Sequence, residues 1–342
     1  MPDGISDGIV VKHVPEDFLV REALVVPLAA KGDADHHYLV LRKRGYTTME
    51  AVRLIAAEFG LHTRDVGYAG LKDEDGVTEQ LVSLPAGAAE SALPFRYEDG
   101  DRWLRLSDHG HGDEPLRIGA LEGNGFRIVV RDLDPAFAEE LAARRKVNHF
   151  FLNYYDIQRF GVPGGPRTTH HVGAALLAGD WERALAELVR LGAPESPAAA
   201  AWSGSPRAFF LDLDPRTTAF YLAASASHDW NARLAELVAR TCGDRAFATA
   251  VEGVPFTYAR SPRDAVDVLR AAGELPYLKY TFIDGTPKTK QSSRQAVVQT
   301  TIAVGPAVPD EHFPGRSSTT LAFFLPSGCY ATSAVRQLFA HN

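Results

Sequence analysis

The residues best suited to chemistry lie in one short stretch, GYAGLKDEDGVTEQ, at positions 67–80. It sets Lys72, Asp73, Glu74 and Asp75 among Gly67, Gly70 and Gly76, just ahead of an alternating run. A carboxylate held in such a loop can serve as nucleophile, as base or as metal ligand. A solvated turn has the same composition. A calcium loop with Gly76 at its turn position needs an acid at 71 and a Glu at 82, where the chain has Leu71 and Val82. The pairs His36-His37 and His170-His171 lack metal-site spacing. GVPGGPR at 161–167 lacks the Lys-Ser/Thr ending of a phosphate loop. A hydrolase built on Asp73 and Asp75 is poorly served, because two acids in one loop cannot flank a substrate from opposite sides.

The elements that must position this loop are legible from pattern. Residues 18–28 and 37–41 read as strands. Thr47 and Glu50 have capping-box spacing, Val52, Ile55, Ala56 and Phe59 share a helical face, and Gly60 ends that helix. A strand over 80–84 is closed by Pro85 and Gly87. Strands over 103–106 and 116–118 flank a polar loop, SDHGHGDEP. Phe126, Ile128 and Val130 alternate with Arg127, Val129 and Arg131, a half-buried strand. Asp134-Pro135 opens a helix reaching to Lys146. Past the VPGGPR break the chain turns Ala-rich and helical, over 172–177, 181–191, 217–240 and 261–272. TPKTKQSSRQ at 286–295 reads as a loop, 321–325 as a strand, and 330–339 as a segment that starts extended and ends helical. The order is β-rich, then helical, then β again. That predicts an α+β fold with a mostly helical insertion, whose final strand returns to the first sheet.

Composition narrows the class. Of 342 residues, 45% are hydrophobic and 23% charged, which suits a soluble globular chain rather than a disordered one. No apolar run is long enough to span a membrane, and the N-terminus lacks a basic start with an apolar core, so no membrane partner is expected. Cys242 and Cys329 stand far apart, which fits a reducing cytoplasm and excludes a disulfide scaffold. With 36 basic and 43 acidic residues the net charge is −7, so any RNA contact must be concentrated on one face and be steeply salt-dependent.

GYAGLKDEDGVTEQ also resembles the G-x-A-G-x-K-D signature of the TruD family of pseudouridine synthases. Four further segments resemble the family in its order: VVKHVPEDFLVRE (10–22), LRIGALEGNGFRIVVRDL (116–133), NYYDIQRFG (153–161) and FFLPSGCYATSAVRQL (323–338). The insertion between the last two matches weakly, mainly around SASHDWNARL (225–234). The resemblance implies a pseudouridine-synthase catalytic domain with a mixed or antiparallel sheet, interrupted by the family's insertion (TRUD) domain. Its segments are 1–158 for the first part of the catalytic domain, 159–310 for the insertion and 311–342 for the return.

The resemblance implies isomerisation of uridine to pseudouridine in RNA, tRNA above all and a D-stem uridine in particular, by a monomer without cofactor or metal. Asp73 falls on the catalytic aspartate, acting as nucleophile or as a base that opens a glycal route. Lys12 falls on the active-site lysine, which would favour the ionised carboxylate. Phe126 falls on the aromatic that stacks on the target base, and such stacking is worth about 1–3 kcal/mol. Asn124 would hydrogen-bond the Asp73 loop or the uracil edge. Lys72 is expected on backbone or phosphate, and Gln158 and Arg159 would brace the cleft or meet RNA. Read from the residues alone, Phe126 can be plain core, Asn124 a turn residue and Arg159 half of a structural ion pair. The chain departs from the family's K-D-[RK]-x-A at Glu74 and Gly76, and from N-Y-F-G at Asp156. The added acids are expected to repel phosphates and raise the pKa of Asp73. Two alternatives stay open: a synthase of a specialised C-nucleoside pathway acting on another RNA or a nucleotide, and a non-catalytic RNA-binding protein on the same scaffold.

Overall fold

The computed structural model describes residues 3–6, 9–72, 74–88, 93–161, 165–272, 275–283 and 285–340. Asp73 lies outside the described residues. In chain order the first elements are β1 (Asp3–Ser6), β2 (Ile9–Val11), β3 (Phe18–Ala23), β4 (His36–Arg44), α1 (Thr48–Glu58), β5 (Gly67–Tyr68), β6 (Val77–Pro85), β7 (Phe95–Asp99), β8 (Arg102–Gly112), β9 (Gly123–Leu133), α2 (Pro135–Ala143) and β10 (Lys146–Leu152). Then follow α3 (Thr169–Leu177), α4 (Trp181–Leu191), α5 (Ser196–Ala200), α6 (Pro206–Asp212), α7 (Pro215–Cys242), β11 (Ala246–Val251), β12 (Val254–Ala259), α8 (Pro262–Ala272), β13 (Tyr277–Ile283), β14 (Thr286–Ser292), β15 (Val297–Val304), β16 (Val308–Pro309), β17 (Ser317–Pro326) and α9 (Ala331–Ala340). Two compact units result, 1–148 with 300–328, and 149–299 with 329–342. These cuts fall inside β10 and β15 and before α9, whereas the segments read from the sequence break at 158 and 310.

The first unit is built on a mixed sheet in the order β15-β17-β9-β3-β6-β4-β8-β7. The β3–β6 pair is parallel, and the pairs β4–β6, β4–β8, β3–β9 and β17–β9 are antiparallel. Residues facing one another across a ladder share a face. Leu41, Gln80 and Thr78, Val20, Phe126 and Phe323 therefore lie on one face, here the front. Thr47 caps α1, whose Ala51, Val52, Ile55 and Ala56 pack on Leu39, Leu41, Val82, Leu84, Leu104 and Leu106. Arg131, expected on the outward side of its strand, is buried instead. Its guanidinium donates to Asp17, Asp310 and Glu311, so the Asp of the PEDF segment is an architectural residue.

The second unit has its own cores. Val172, Leu176, Leu188 and Tyr221 of α3, α4 and α7 form one. Leu152, Trp230, Leu237, Phe256 and Val268 belong to the other. The helices anticipated over 172–240 and 261–272 are present, together with the hairpins β11–β12 and β13–β14.

Three local expectations are corrected. The polar stretch read as a loop at 286–295 is mostly strand β14, because β13 pairs with it from Tyr277↔Ser292 to Ile283↔Thr286. SDHGHG continues β8 rather than looping out, because β4 pairs along it as far as His36↔Gly112, while 116–118 is not a strand. The extended start expected at 330 is absent, since α9 is helical from Ala331. In the first two cases distant strand pairing satisfied backbone groups for which the local sequence carried no signal.

Candidate active site

The loop before β6 is anchored through its backbone. The Lys72 N–H donates to Thr48 Oγ1 at 2.8 Å, and the Thr48 hydroxyl donates to Gln80 Oε1 at 3.0 Å. Gln80 Nε2 in turn donates to the Gly70 carbonyl at 2.9 Å. Lys43 Nζ, fully buried, donates to the carbonyls of Tyr46 at 2.6 Å and Lys72 at 3.2 Å. On the far side of Asp73, the Gly45 N–H donates to the Glu74 carbonyl at 3.3 Å. Both neighbours of Asp73 are thus tied to the sheet and to the start of α1. Gly76 follows from the same packing: a Cβ there would sit 2.4 Å from the Phe18 carbonyl oxygen. Close approach of β3, rather than altered phosphate chemistry, accounts for that glycine.

The front of β3 and β9 carries the remaining first-unit candidates. Lys12, in a left-handed backbone conformation (φ 57°), places Nζ 4.5 Å from the centroid of the Phe18 ring. Phe18 meets Phe126 edge-on at 6.1 Å, and Phe126 stacks on Phe323 at 5.6 Å. Phe126 is half-buried. Lys72 Nζ pairs with Glu22 Oε2 at 2.6 Å, with side chains 5% and 1% exposed, rather than reaching backbone or solvent. Glu22 lies opposite Asn124 in the β3–β9 ladder. Glu22 Oε1 and Asn124 Oδ1 are buried and accept no hydrogen bond from the described residues. Two buried acceptors on paired residues cost free energy unless a donor arrives.

Lys43, Thr48, Gln80 and Glu22 escaped the sequence reading. A period-two signal existed for one of them: in HYLVLRKR, Lys43 keeps the inward parity of Leu39 and Leu41.

Gln158 and Arg159 belong to the second unit, in a 3-10 turn at Ile157–Arg159. Arg159 donates to Ser227 Oγ at 3.3 Å, and its guanidinium lies 5.5 Å from the Phe220 ring centroid. Asp156 corrects an expectation. It is fully buried and adds no acid to a phosphate-facing surface. It accepts from the Ile157 N–H, from Arg336 Nη1 at 2.9 Å and from the Thr332 hydroxyl. Burial alone would raise its pKa, but Arg336 and the Thr332 hydrogen bond win and hold it below the ordinary carboxylate value. The NYYDIQRFG and ATSAVRQL segments thereby clasp one another, with Gln337 accepting from the Leu152 N–H and donating to the Leu152 carbonyl.

One further cluster joins residues far apart in sequence. His37, Asp108 and His111 bring ligand-type atoms within 4.8 Å of one another. His37 Nε2 lies 2.6 Å from Asp108 Oδ1, and the two imidazoles stack at 4.3 Å with planes 7° apart. Near-parallel rings aim their in-plane lone pairs side by side rather than at a common ion. The trio reads as a hydrogen bond plus a ring stack joining β4 to β8.

Comparison with known proteins gives this geometry a lineage. A family model for tRNA pseudouridine synthase D (TruD) matches residues 3–248. A tRNA pseudouridine synthase D from Geobacter sp. (strain M21) is 38% identical over 57% of this chain and 47% of its own length. A probable tRNA pseudouridine synthase D from Thermococcus onnurineus is 38% identical over 51% of this chain and 40% of its own length. The chain thus spans about half the length of the curated relatives it matches. A crystal structure of a TruD protein from Methanosarcina mazei superposes with a TM-score of 0.58 at 20% identity, covering 96% of this chain and 92% of that one, a likeness of fold alone. The family match extends over both the anchored 67–80 loop and the Asn124–Phe126 strand, and the chain belongs to the TruD family.

Proposed function

We propose that this chain is a pseudouridine synthase that isomerises uridine in RNA, with a D-stem uridine of tRNA as its target, acting as a cytoplasmic monomer. The observation that carries the reading is the clamp on both sides of Asp73. Lys72 and Glu74 are fixed by Thr48, Lys43 and Gly45. The same unit presents Lys12, a half-buried Phe126 and two acceptors that take no hydrogen bond from the described residues.

In this mechanism the Asp73 carboxylate acts at the sugar–base junction, either attacking carbon or removing a proton to open a glycal. The C1′–N1 bond breaks, the uracil turns, and C1′ joins C5. N1 gains a proton and the C5 hydrogen leaves to solvent. Atoms and electrons balance within the nucleoside, so the step asks for no redox partner. Lys12 supplies positive charge that favours an ionised carboxylate. Phe126 offers an aromatic ring on which the base can stack. Asn124 Oδ1 and Glu22 Oε1 are acceptors for donors such as the uracil imide N–H. Reaching the site requires the target base to leave its stack, at a cost of a few kcal/mol that other RNA contacts must offset.

A second reading, a synthase for a specialised C-nucleoside pathway, is favoured by Glu74 and Asp75. Both are exposed, and Glu74 stands where the resemblance expects a basic residue. The test is tritium release from C5-labelled substrates with nucleoside analysis of the product. Release from tRNA and none from uridine nucleotides is expected. The converse would support the specialised pathway, and release from neither would favour a non-catalytic RNA binder.

A further inference from the structure

The reverse face of the first unit's sheet differs sharply from the front. Strand register lines up Arg96, Arg105, Arg42, Glu79 and Arg21 as consecutive cross-strand neighbours on β7, β8, β4, β6 and β3. Four strand spacings make this row about 19 Å long. Arg127 lies one row over, opposite Leu19 and Ala322. All five arginines are exposed, Arg21 with 81% of its side chain open. Arg21 is ion-paired to Glu79 and Arg105 loosely to Glu98, at 2.9 and 3.8 Å. Arg42, Arg96 and Arg127 have no carboxylate partner among the described residues. Trp103 stands between Arg42 and Arg105, its ring 5.9 and 4.7 Å from their guanidinium carbons.

Between the two rows runs a groove of about 480 Å³, with Arg42, Glu79 and Arg21 along one side and Val77, Leu19 and Arg127 along the other. Val20, Thr78, Phe126 and Phe323 of the front also border it, but Arg42, Glu79, Arg21, Arg127 and Ala322 line it where Leu41, Lys43 and Asn124 do not, which assigns it to the reverse face. A chain of net charge −7 has thus gathered five exposed arginines on one sheet face, with Arg44, paired to Glu16, on the same face opposite Trp103. Guanidinium groups suit phosphate oxygens, and Trp103 provides a surface on which a base can stack.

We propose that this groove is a second RNA-binding surface, which takes the phosphates of an RNA segment other than the one carrying the target nucleotide. The proposal rests on the reading that the chain acts on RNA. It supplies contacts of the kind needed to offset extraction of the base, without adding positive charge at the reacting site.

The test uses the full chain and unmodified tRNA, with affinity measured over a range of salt. The variant is R42Q/R105Q/R127Q, and the control R64Q/R117Q/R144Q removes the same charge from other exposed arginines of the unit. The groove variant should bind about tenfold more weakly near physiological salt. Its log–log salt slope should fall by about 2–3, as expected for the loss of two or three phosphate contacts. Its kcat should hold while KM rises, and the control should behave as wild type. Unchanged affinity and slope in the groove variant, or equal losses in both variants, would overturn the proposal while leaving the synthase reading intact. Absence of RNA binding by the wild-type chain would sink both.

Discussion

The two units each bury an ion pair within a segment resembling a family motif, and they use it differently. In the second unit, Asp156 meets Arg336, Thr332 and the Ile157 N–H, so both of its oxygens are engaged. In the first, Lys72 engages one oxygen of Glu22, and neither the other nor Oδ1 of Asn124, its ladder partner, accepts from the described residues. Asp156 has no acceptor left to offer a ligand, although Arg336 Nε beside it finds no partner among the described residues; Glu22 keeps an oxygen that a ligand donor can relieve. Motif resemblance of similar quality therefore marks a site in one place and architecture in another, and the state of the carboxylate oxygens separates them.

The contrast can be broken by substitution. The largest effect is expected from D73N, which removes charge while keeping size. Nucleoside analysis should find no pseudouridine while the melting temperature stays within a degree or two of wild type; activity within a few-fold would end the assignment. Next comes D156A, which strands Arg336 as an uncompensated buried charge. A destabilisation of about 3–5 kcal/mol is expected in urea unfolding. If instead D156A stays stable and loses only turnover, the architectural role is wrong.

A subtler case is K72M. It should destabilise by leaving Glu22 unpaired, and the double variant E22Q/K72M should recover much of that loss. Turnover should stay depressed in both if the pair orients the loop. Full recovery of kcat in the double variant would reduce Lys72 to a packing residue.

The smallest effect is a pH slope in the second unit. His170 stacks on His228 at 4.2 Å, and burial first, then His228 and His171, push its pKa down from 6.5 to about 3. Between these values the unfolded chain binds more protons than the folded one. This contribution is therefore whole above about pH 6.5 and is lost progressively as pH falls toward 3. Urea midpoints should drop between pH 7.5 and 5, and H170N should flatten that drop; an unchanged slope would remove His170 as its source.

Much of the architecture was readable because it is encoded locally. The Thr47–Glu50 cap, the Asp134-Pro135 helix start and the alternation around Phe126 each depend on residues within a turn or two of one another. Asp73 stood out through its glycine frame and the order of the surrounding segments. The residues that anchor its loop did not: Thr48 looked like an ordinary first helical residue, and Gln80 like the start of a strand. Asp156 was misjudged because a charged residue in isolation says nothing about a partner 180 positions away.

The sequence by itself determined the α+β class, the helices with caps and the candidate carboxylate, since propensity, patterning and motif order act over short stretches of chain. Tertiary structure alone decided that Lys43 reaches the loop carbonyl, that Asp156 is sealed against Arg336 and that five arginines share one face. The first and last depend on which strands pair and in which register, where a shift of one residue would turn those side chains to the opposite side, and the Asp156 pair depends on a 3-10 turn packing against α9.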